Sequence, residues 1–213
     1  MSTKEPFRQM PWLAWAMEIQ GLAQSGLAYT DNVYEIERYS RLRDIAAEML
    51  SFQSDLPIEK VRTLFCNESG YQTPKIDTRA AIFDAAGERI LLVQEKDGRW
   101  SMPGGWVDVL ESIASNTVKE AYEEAGVIVE ATRILAVQNR NMHNPPPVPF
   151  GICKFFVECR YLSGAFQENI ETLASGYFDL DHLPNLATDK NTREQIALCF
   201  TAHRDPNWTV RFD

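Results

Sequence analysis

Residues 104–127 read GGWVDVLESIASNTVKEAYEEAGV, and this stretch decides how the segment around it folds. Glu120, Glu123 and Glu124 are spaced i, i+3 and i+4, which places three carboxylates on one face of a helix. Like charges at this spacing cost about 0.2–0.5 kcal/mol per pair, so the face either lies in water or binds a cation. A solvated face is the simpler interpretation of the three glutamates alone, and the flanking residues decide between the two.

The residues on either side of the glutamates favour the cation. A Pro-Gly-Gly run at 103–105 predicts a tight turn before the helix, and Glu111 followed by Ser112 is typical of a helix start. Gly126 stands where a helix C-cap is expected. The glutamates therefore fall in the last two turns, at the end of the helix dipole that disfavours negative charge. A bound divalent cation would offset this, and Mg2+ prefers such oxygen ligands.

The stretch resembles the Nudix box, G-x5-E-x7-R-E-U-x-E-E-x-G-U, in which U is a bulky aliphatic residue. The two departures are Lys119, where the box has Arg, and Ala121, where it has an aliphatic residue. Lys lacks the bidentate fork of Arg, so the contact that this position makes with Glu111 is expected to be looser. The matching positions are Gly105, Glu111, Glu120, Glu123, Glu124, Gly126 and Val127.

This resemblance implies a fold and an activity. The implied fold class is α/β, an α/β/α sandwich around a mixed sheet. The implied activity is metal-dependent hydrolysis of the diphosphate bond in a nucleoside diphosphate linked to a group X, which gives a nucleoside monophosphate and phospho-X. Mg2+ is the expected ion, with Mn2+ as the alternative. The implied ligands are the Gly105 carbonyl and the carboxylates of Glu120, Glu123 and Glu124.

The remaining catalytic assignments concern a proton acceptor and an orienting ion pair. A metal-bound water needs a carboxylate to take its proton. The resemblance implies that this base is Glu120 or an acid on the loop 167–172, where Glu171 is the first choice and Glu168 the second. Either loop acid would also suit a solvated surface. Glu111 and Lys119 are expected to form the orienting pair.

Cations near the strand ends are expected to bind the phosphates of the substrate. Arg140 suits phosphate oxygens, and Lys154 lies beside an apolar strand. His143 stands in a proline-rich loop at 141–149 and could contact a phosphate or donate a proton, although a surface histidine often has neither role. Arg140, His143 and Lys154 are therefore the predicted substrate-binding residues.

The N-terminal part of the chain differs from the rest, since residues 12–67 have the apolar spacing of three helices. A bundle this short buries little core by itself, so we expect it to pack on the other domain or on a second copy in a homodimer. We therefore predict a helical domain at 1–69, serving in dimerisation or substrate contact, and a Nudix domain at 70–213. Within the latter, apolar runs predict strands at 79–84, 89–95, 128–130, 133–139, 155–161 and 176–180 and a closing helix at 191–203.

The helical domain also resembles one that precedes some bacterial Nudix domains, in the CDP-choline pyrophosphatase and ADP-ribose pyrophosphatase group. The resemblance lies in the motif at 24–29, in Tyr34 and in Arg38 followed by Tyr39. Aromatic faces attract a quaternary ammonium by about 0.5–2 kcal/mol per ring, so the aromatics of this domain favour CDP-choline over ADP-ribose as substrate. The same side chains would also suit helix packing. They are Trp12, Trp15, Tyr29, Tyr34 and Tyr39.

Composition narrows the class of protein. The chain has 213 residues, 45% of them hydrophobic, and a net charge of -9, which disfavours binding to long nucleic acids. No apolar run approaches a membrane span, the N-terminus lacks a signal-peptide core, and the four cysteines form no CxxC pair. We expect a cytoplasmic enzyme acting on a small nucleotide, without nucleic-acid or membrane partners. An RNA-directed Nudix enzyme and a non-catalytic nucleotide sensor are the alternatives.

Overall fold

The structure is a computed structural model that describes residues 10–54, 57–66 and 69–213. It divides into two compact units, one formed by the chain up to Pro74 together with Pro147–Gly151, the other by Lys75–Pro146 and Ile152–Asp213. Two expectations fall outside the described residues. One concerns residues 1–9, which bear on the expected lack of a signal peptide, and the other concerns Asn67, where the sequence predicts that the helical segment ends.

The described part of residues 11–65 in the first unit forms three helices, as the sequence predicts. Helix α1 (Pro11–Tyr29) begins with a proline, whose fixed φ suits the first turn, and is followed by α2 (Val33–Ser54) and α3 (Ile58–Phe65). Trp15, Leu22 and Tyr29 stay exposed on α1, so this unit keeps apolar surface outside its core. The buried side chains that hold the helices together are Leu13, Ala16, Ala46, Ala47, Leu50, Val61 and Phe65.

The second unit alternates strands and helices. Its strands are β1 (Lys75–Ile82), β2 (Ile90–Glu95), β3 (Trp100–Ser101), β4 (Val127–Asn139), β5 (Ile152–Gly164), β6 (Thr172–Phe178) and β7 (Arg211–Phe212). Its helices are α4 (Ile113–Ala125), α5 (Arg140–His143) and α6 (Arg193–Arg204). One sheet is mixed and has the order β1-β5-β4-β7, and the other is antiparallel with the order β3-β2-β6.

The two longer helices of this unit cover opposite faces of the strands. Alternate residues of a strand point to opposite faces, and the end of β1 follows this rule. Ala80 and Ile82 lie in one buried cluster with helix α4, whereas Ala81 and its neighbour Phe83 lie in another with helix α6. The predicted α/β/α sandwich with a mixed sheet is therefore confirmed.

The main departure from the predicted elements is strand β4. The sequence predicts separate strands at 128–130 and 133–139, but the structure has one strand, Val127–Asn139, whose pairing with β5 shifts register at three places. Such irregularities absorb an extra residue without ending the strand. The largely polar stretch 130–133 separates the two apolar runs that the prediction follows. Among the residues that the structure describes, no helix is both long enough and apolar enough to span a bilayer.

Candidate functional site

Helix α4 is fixed at both ends, which sets the direction of the side chains it carries. At its start, the Ser112 hydroxyl accepts a hydrogen bond from the Ser115 N–H, and the Ser115 hydroxyl accepts one from the Ser112 N–H. At its end, Gly126 has a φ of 67°, and a Cβ there would lie 2.4 Å from the Ala165 carbonyl oxygen. The predicted start and stop of the helix are therefore both confirmed.

Two of the three glutamates point inward, toward the Pro-Gly-Gly turn. Glu120 is 8% exposed and Glu124 9%. The Gly104 N–H donates to the Glu124 Oε2 at 2.8 Å. A Cβ on Gly105 would lie 3.0 Å from the Glu120 Oε2, so this glycine leaves room for the carboxylate. The structure thus brings Gly105, Glu120 and Glu124 together, as the sequence predicts.

Burial and like charge dominate the electrostatics of this carboxylate pair. Burial, and then the neighbouring Glu124, raise the pKa of Glu120 to about 7. Burial also raises the pKa of Glu124, although the Arg79 guanidinium and the Gly104 N–H oppose that rise. In the absence of a cation, burial and like charge therefore disfavour the ionised form of both carboxyls.

The third glutamate and the expected orienting pair lie on the exposed side of the helix. Glu123 is exposed, and its Oε2 lies 3.6 Å from the Lys119 Nζ. The same Nζ lies 2.7 Å from the Asp108 Oδ2. The predicted Lys119–Glu111 pair is therefore wrong, because a turn closed by the Glu111 N–H and the Asp108 carbonyl presents Asp108 to the lysine instead.

The loop that was expected to supply a base is tied to the end of helix α4. The Thr172 hydroxyl donates to the Glu124 carbonyl at 2.6 Å. The Asn169 side chain accepts from the Glu171 N–H at 2.9 Å, which fixes the turn around that residue. Glu171 is exposed and close enough for its charge to raise the pKa of Glu124. Glu168 is exposed on the same loop.

The donor set suits a hard divalent cation bound together with substrate. Within the ranges 10–54, 57–66 and 69–213, no three His, Cys, Asp or Glu side chains converge as a complete metal site. Mg2+ keeps several waters and is usually held by one or two carboxylates plus substrate phosphates. The inward-facing carboxylates of Glu120 and Glu124 match that requirement, and their mutual repulsion is what a cation would relieve.

The predicted phosphate-binding cations occupy other places. Arg140 is buried, and its guanidinium donates to the carbonyls of Asp189 and Pro146. Lys154 is buried, with its Nζ 2.7 Å from the Lys190 carbonyl and 3.0 Å from the Asp77 carboxylate. Because their donors are used inside the protein, the structure does not favour direct contact of Arg140 and Lys154 with substrate, which stays a prediction.

The predicted histidine also has a partner. The His143 Nε2 lies 2.8 Å from an oxygen of the Asp213 carboxylate. That carboxylate also accepts from the Asn139 N–H at 3.1 Å, so the histidine is tied to the C-terminal end of strand β4. Its role in substrate binding stays a prediction.

Sequence reasoning missed a buried ionic cluster behind the glutamates. The Asp77 carboxylate is flanked by the guanidinium of Arg79, at 2.7 Å, and by the ammonium of Lys154. A second donor of Arg79 reaches the Met102 carbonyl, just before the Pro-Gly-Gly turn. The sequence signal is the largely polar stretch 75–79 at the start of strand β1, which is also the pattern of an exposed segment.

Comparison with known proteins gives matches along most of the chain. A family described as a UDP-X-like N-terminal oligomerisation domain matches residues 10–65, and the NUDIX domain family matches residues 73–199. The putative ADP-ribose pyrophosphatase YjhB of Bacillus subtilis (strain 168) is 40% identical over 206 residues, which cover 96% of this chain and 98% of that protein.

Two solved structures are also similar. The crystal structure of an ADP-ribose pyrophosphatase from Streptococcus suis 89-1591 is 54% identical, with a TM-score of 0.62, and covers 66% of this chain and 100% of its own. The crystal structure of a UDP-X diphosphatase is 33% identical, with a TM-score of 0.62, and covers 94% of this chain and 98% of its own.

Proposed function

The chain belongs to the Nudix hydrolase family, and from that premise we propose that it hydrolyses the diphosphate bond of a small nucleoside diphosphate linked to a group X. The observation that carries the proposal is the pair of inward-facing carboxylates, Glu120 and Glu124, beside the Gly104–Gly105 turn. The products would be a nucleoside monophosphate and a phosphorylated X.

Each residue of the site has a defined part in this reaction. Glu120 and Glu124 would hold Mg2+ or Mn2+, with the Gly104 N–H fixing one oxygen of Glu124. Bound there, the ion would neutralise the diphosphate and lower the pKa of a water. Glu171, oriented by its turn with Asn169, is our first choice to accept the proton of the attacking water, and Glu120 is the second.

ADP-ribose is the substrate that we place first, and CDP-choline second. Two relatives at 40% and 54% identity are named for ADP-ribose, and this similarity outweighs the aromatic residues that favour a choline group. CDP-choline stays in the proposal because Tyr34 exposes its ring on the helical unit, and an aromatic face attracts a quaternary ammonium.

The test is a substrate panel with a matched pair of variants. Purified protein with Mg2+ or Mn2+ is given ADP-ribose, CDP-choline, a UDP-sugar and a 5′-diphosphate RNA, and both products are measured. We expect turnover of a small substrate, at a kcat/KM far above that for RNA. Glu124→Gln should lower turnover by orders of magnitude, whereas Glu130→Gln, on exposed strand surface, should not. Turnover of Glu124→Gln at the wild-type rate, or turnover by the wild type in EDTA, would refute the metal assignment.

We also propose that the helical unit forms a homodimer. Trp15, Leu22 and Tyr29 are seven residues apart on helix α1, so they share one face, and each exposes more than half of its surface. A second copy would remove this stripe from water. The match of residues 10–65 to an oligomerisation domain supports the same assignment.

A further inference from the structure

Residues 187–191, here called the pinned loop, are held through their backbone by buried side chains. Three consecutive carbonyls of the loop accept hydrogen bonds at 2.7 to 3.3 Å from side chains that are each less than 5% exposed. Asn144 donates to the Thr188 carbonyl, Arg140 to the Asp189 carbonyl and Lys154 to the Lys190 carbonyl. The residues predicted from the sequence to bind phosphate therefore act on a loop.

This anchoring fixes the position of one partly exposed cation. The Lys190 N–H donates to the Ala187 carbonyl, so both backbone polar groups of Lys190 are bound. Its Nζ lies 2.7 Å from the Glu95 Oε2, and its side chain is 37% exposed. Burying a cation costs several kcal/mol of desolvation. A loop whose position is unimportant would not need the two buried cations, Arg140 and Lys154, that hold this one. Their presence indicates that the placement of Lys190 matters.

The pinned loop is joined to the segment that carries the glutamate site. The Asn191 Oδ1 accepts from the Met102 N–H at 2.9 Å, two residues before Gly104 binds Glu124. This bond fixes the orientation of the Asn191 amide, and its Nδ2 is then buried without a hydrogen-bond partner among the described residues. Glu95 gives a second link, since its Oε1 accepts from the Ser101 hydroxyl at 2.9 Å while its Oε2 holds the Lys190 ammonium at 2.7 Å.

Charge balance explains why a cation is needed here. A diphosphate is anionic, and the site otherwise presents carboxylates, so a metal ion alone leaves phosphate charge uncompensated. The neighbouring cations have other partners, since Arg79 is buried against Asp77 and Lys119 is bound to Asp108. Among the residues that the structure describes, Lys190 has a single carboxylate partner, and its flexible side chain remains accessible to solvent.

We propose that Lys190 binds the diphosphate of the substrate, and that Asn144, Arg140 and Lys154 are positioning residues that act through the carbonyls of the pinned loop. This inference rests on the proposed function, because it assumes that the glutamate site takes a diphosphate. Glu95 would hold the Lys190 ammonium in place before substrate binds. Once substrate is bound, the ammonium would contact both Glu95 and the diphosphate.

The experiment compares Lys190→Met and Lys190→Arg with Lys96→Met, which removes a lysine from an exposed turn of the same unit. Calorimetry with inorganic pyrophosphate and Mg2+ gives a Kd that does not depend on turnover. We expect Lys190→Met to raise this Kd, and the KM for the substrate that the wild type cleaves, about tenfold or more. Lys190→Arg should restore part of the loss, and Lys96→Met should match the wild type.

A merely structural role for Lys190 gives a different result. In that case Lys190→Met would lower the melting temperature while leaving KM and the pyrophosphate Kd unchanged, and the proposal would be overturned. A wild-type protein that binds pyrophosphate through Lys190 but cleaves no member of the panel would count against the proposed substrate class alone. Pyrophosphate binding that all three variants retain would count against Lys190 alone.

Discussion

At the scale of single residues, the site concentrates negative charge that the protein alone does not neutralise. Glu120 and Glu124 face the same turn, and both carboxyls have raised pKa values because they are buried. Such a site lowers the stability of the metal-free protein, and active sites commonly reduce stability in this way. This loss of stability can be measured with a substitution of Glu120.

Glu120→Gln should stabilise the metal-free protein near pH 8 by about 1–2 kcal/mol. Between the ordinary pKa of 4.5 and the folded value of about 7, the folded protein keeps a proton that the unfolded chain has lost. The free energy of unfolding therefore falls as pH rises through this window. In Glu120→Gln this decrease should be absent. Melting temperatures in EDTA at pH 5 and pH 8 provide the measurement.

The matched control for this prediction is Glu123→Gln, which removes an exposed carboxylate of the same helix. Added Mg2+ should raise the melting temperature of the wild type more than that of Glu120→Gln. Equal changes in the melting temperatures of Glu120→Gln and Glu123→Gln would show that the Glu120 carboxylate does not destabilise the metal-free protein.

Helical spacing in the sequence predicts some residues of the site, whereas others lie where no regular spacing exists. Helical spacing places Glu120 and Glu124 on one face, and the structure agrees. Lys190 lies in an irregular segment, where no spacing predicts a direction. Arg140 and Lys154 are predicted to contact phosphate, but a sequence does not reveal which distant carbonyls will surround a cation.

At the scale of elements, the site depends on how closely the Pro-Gly-Gly turn approaches strand β1. Gly104 has a φ of 144°, and a Cβ there would lie 1.9 Å from the Thr78 carbonyl oxygen. No side chain fits between the two backbones, so this close approach requires glycine. The same turn supplies the N–H that holds Glu124.

Gly104→Ala should therefore destabilise the protein by more than about 3 kcal/mol, because a steric overlap adds to the cost of the backbone conformation. Gly98→Ala is the matched control, since Gly98 also has a positive φ, 86°, but has open space around it. That variant should lose only about 1 kcal/mol. Urea unfolding of both variants measures the difference, and equal losses would show that the contact with Thr78 is unimportant.

The sequence predicts helices and strands well where the apolar pattern is continuous, and less well where it is interrupted. Apolar runs predict the strands around Ala80 and Leu91, and capping residues predict helix α4. The prediction divides strand β4 in two because the largely polar stretch 130–133, where one of its register shifts falls, separates two apolar runs. A bulge is fixed by pairing with the neighbouring strand, and that pairing is invisible in a single segment.

At the scale of the whole molecule, the exposed stripe of helix α1 predicts association between copies. Leu22→Lys places a charge in the middle of the stripe, between Trp15 and Tyr29. We expect sedimentation at micromolar concentration to show a dimer for the wild type and a monomer for the variant, since a buried unpaired charge disfavours association. Thr63→Lys, at an exposed position of helix α3, is the control and should stay dimeric. A wild type that sediments as a monomer would contradict the assignment.

The pinned loop has a consequence for how this enzyme can change. Its anchors hold carbonyl oxygens, and nearly every residue type presents the same carbonyl. Exchanging Lys190 therefore leaves the scaffold of the loop in place, whereas exchanging Arg140 or Lys154 removes it. The shape of the loop and the charge that it would offer to a diphosphate are therefore set at separate positions. A substitution at position 190 would change that charge in a single step, without rebuilding the loop that presents it.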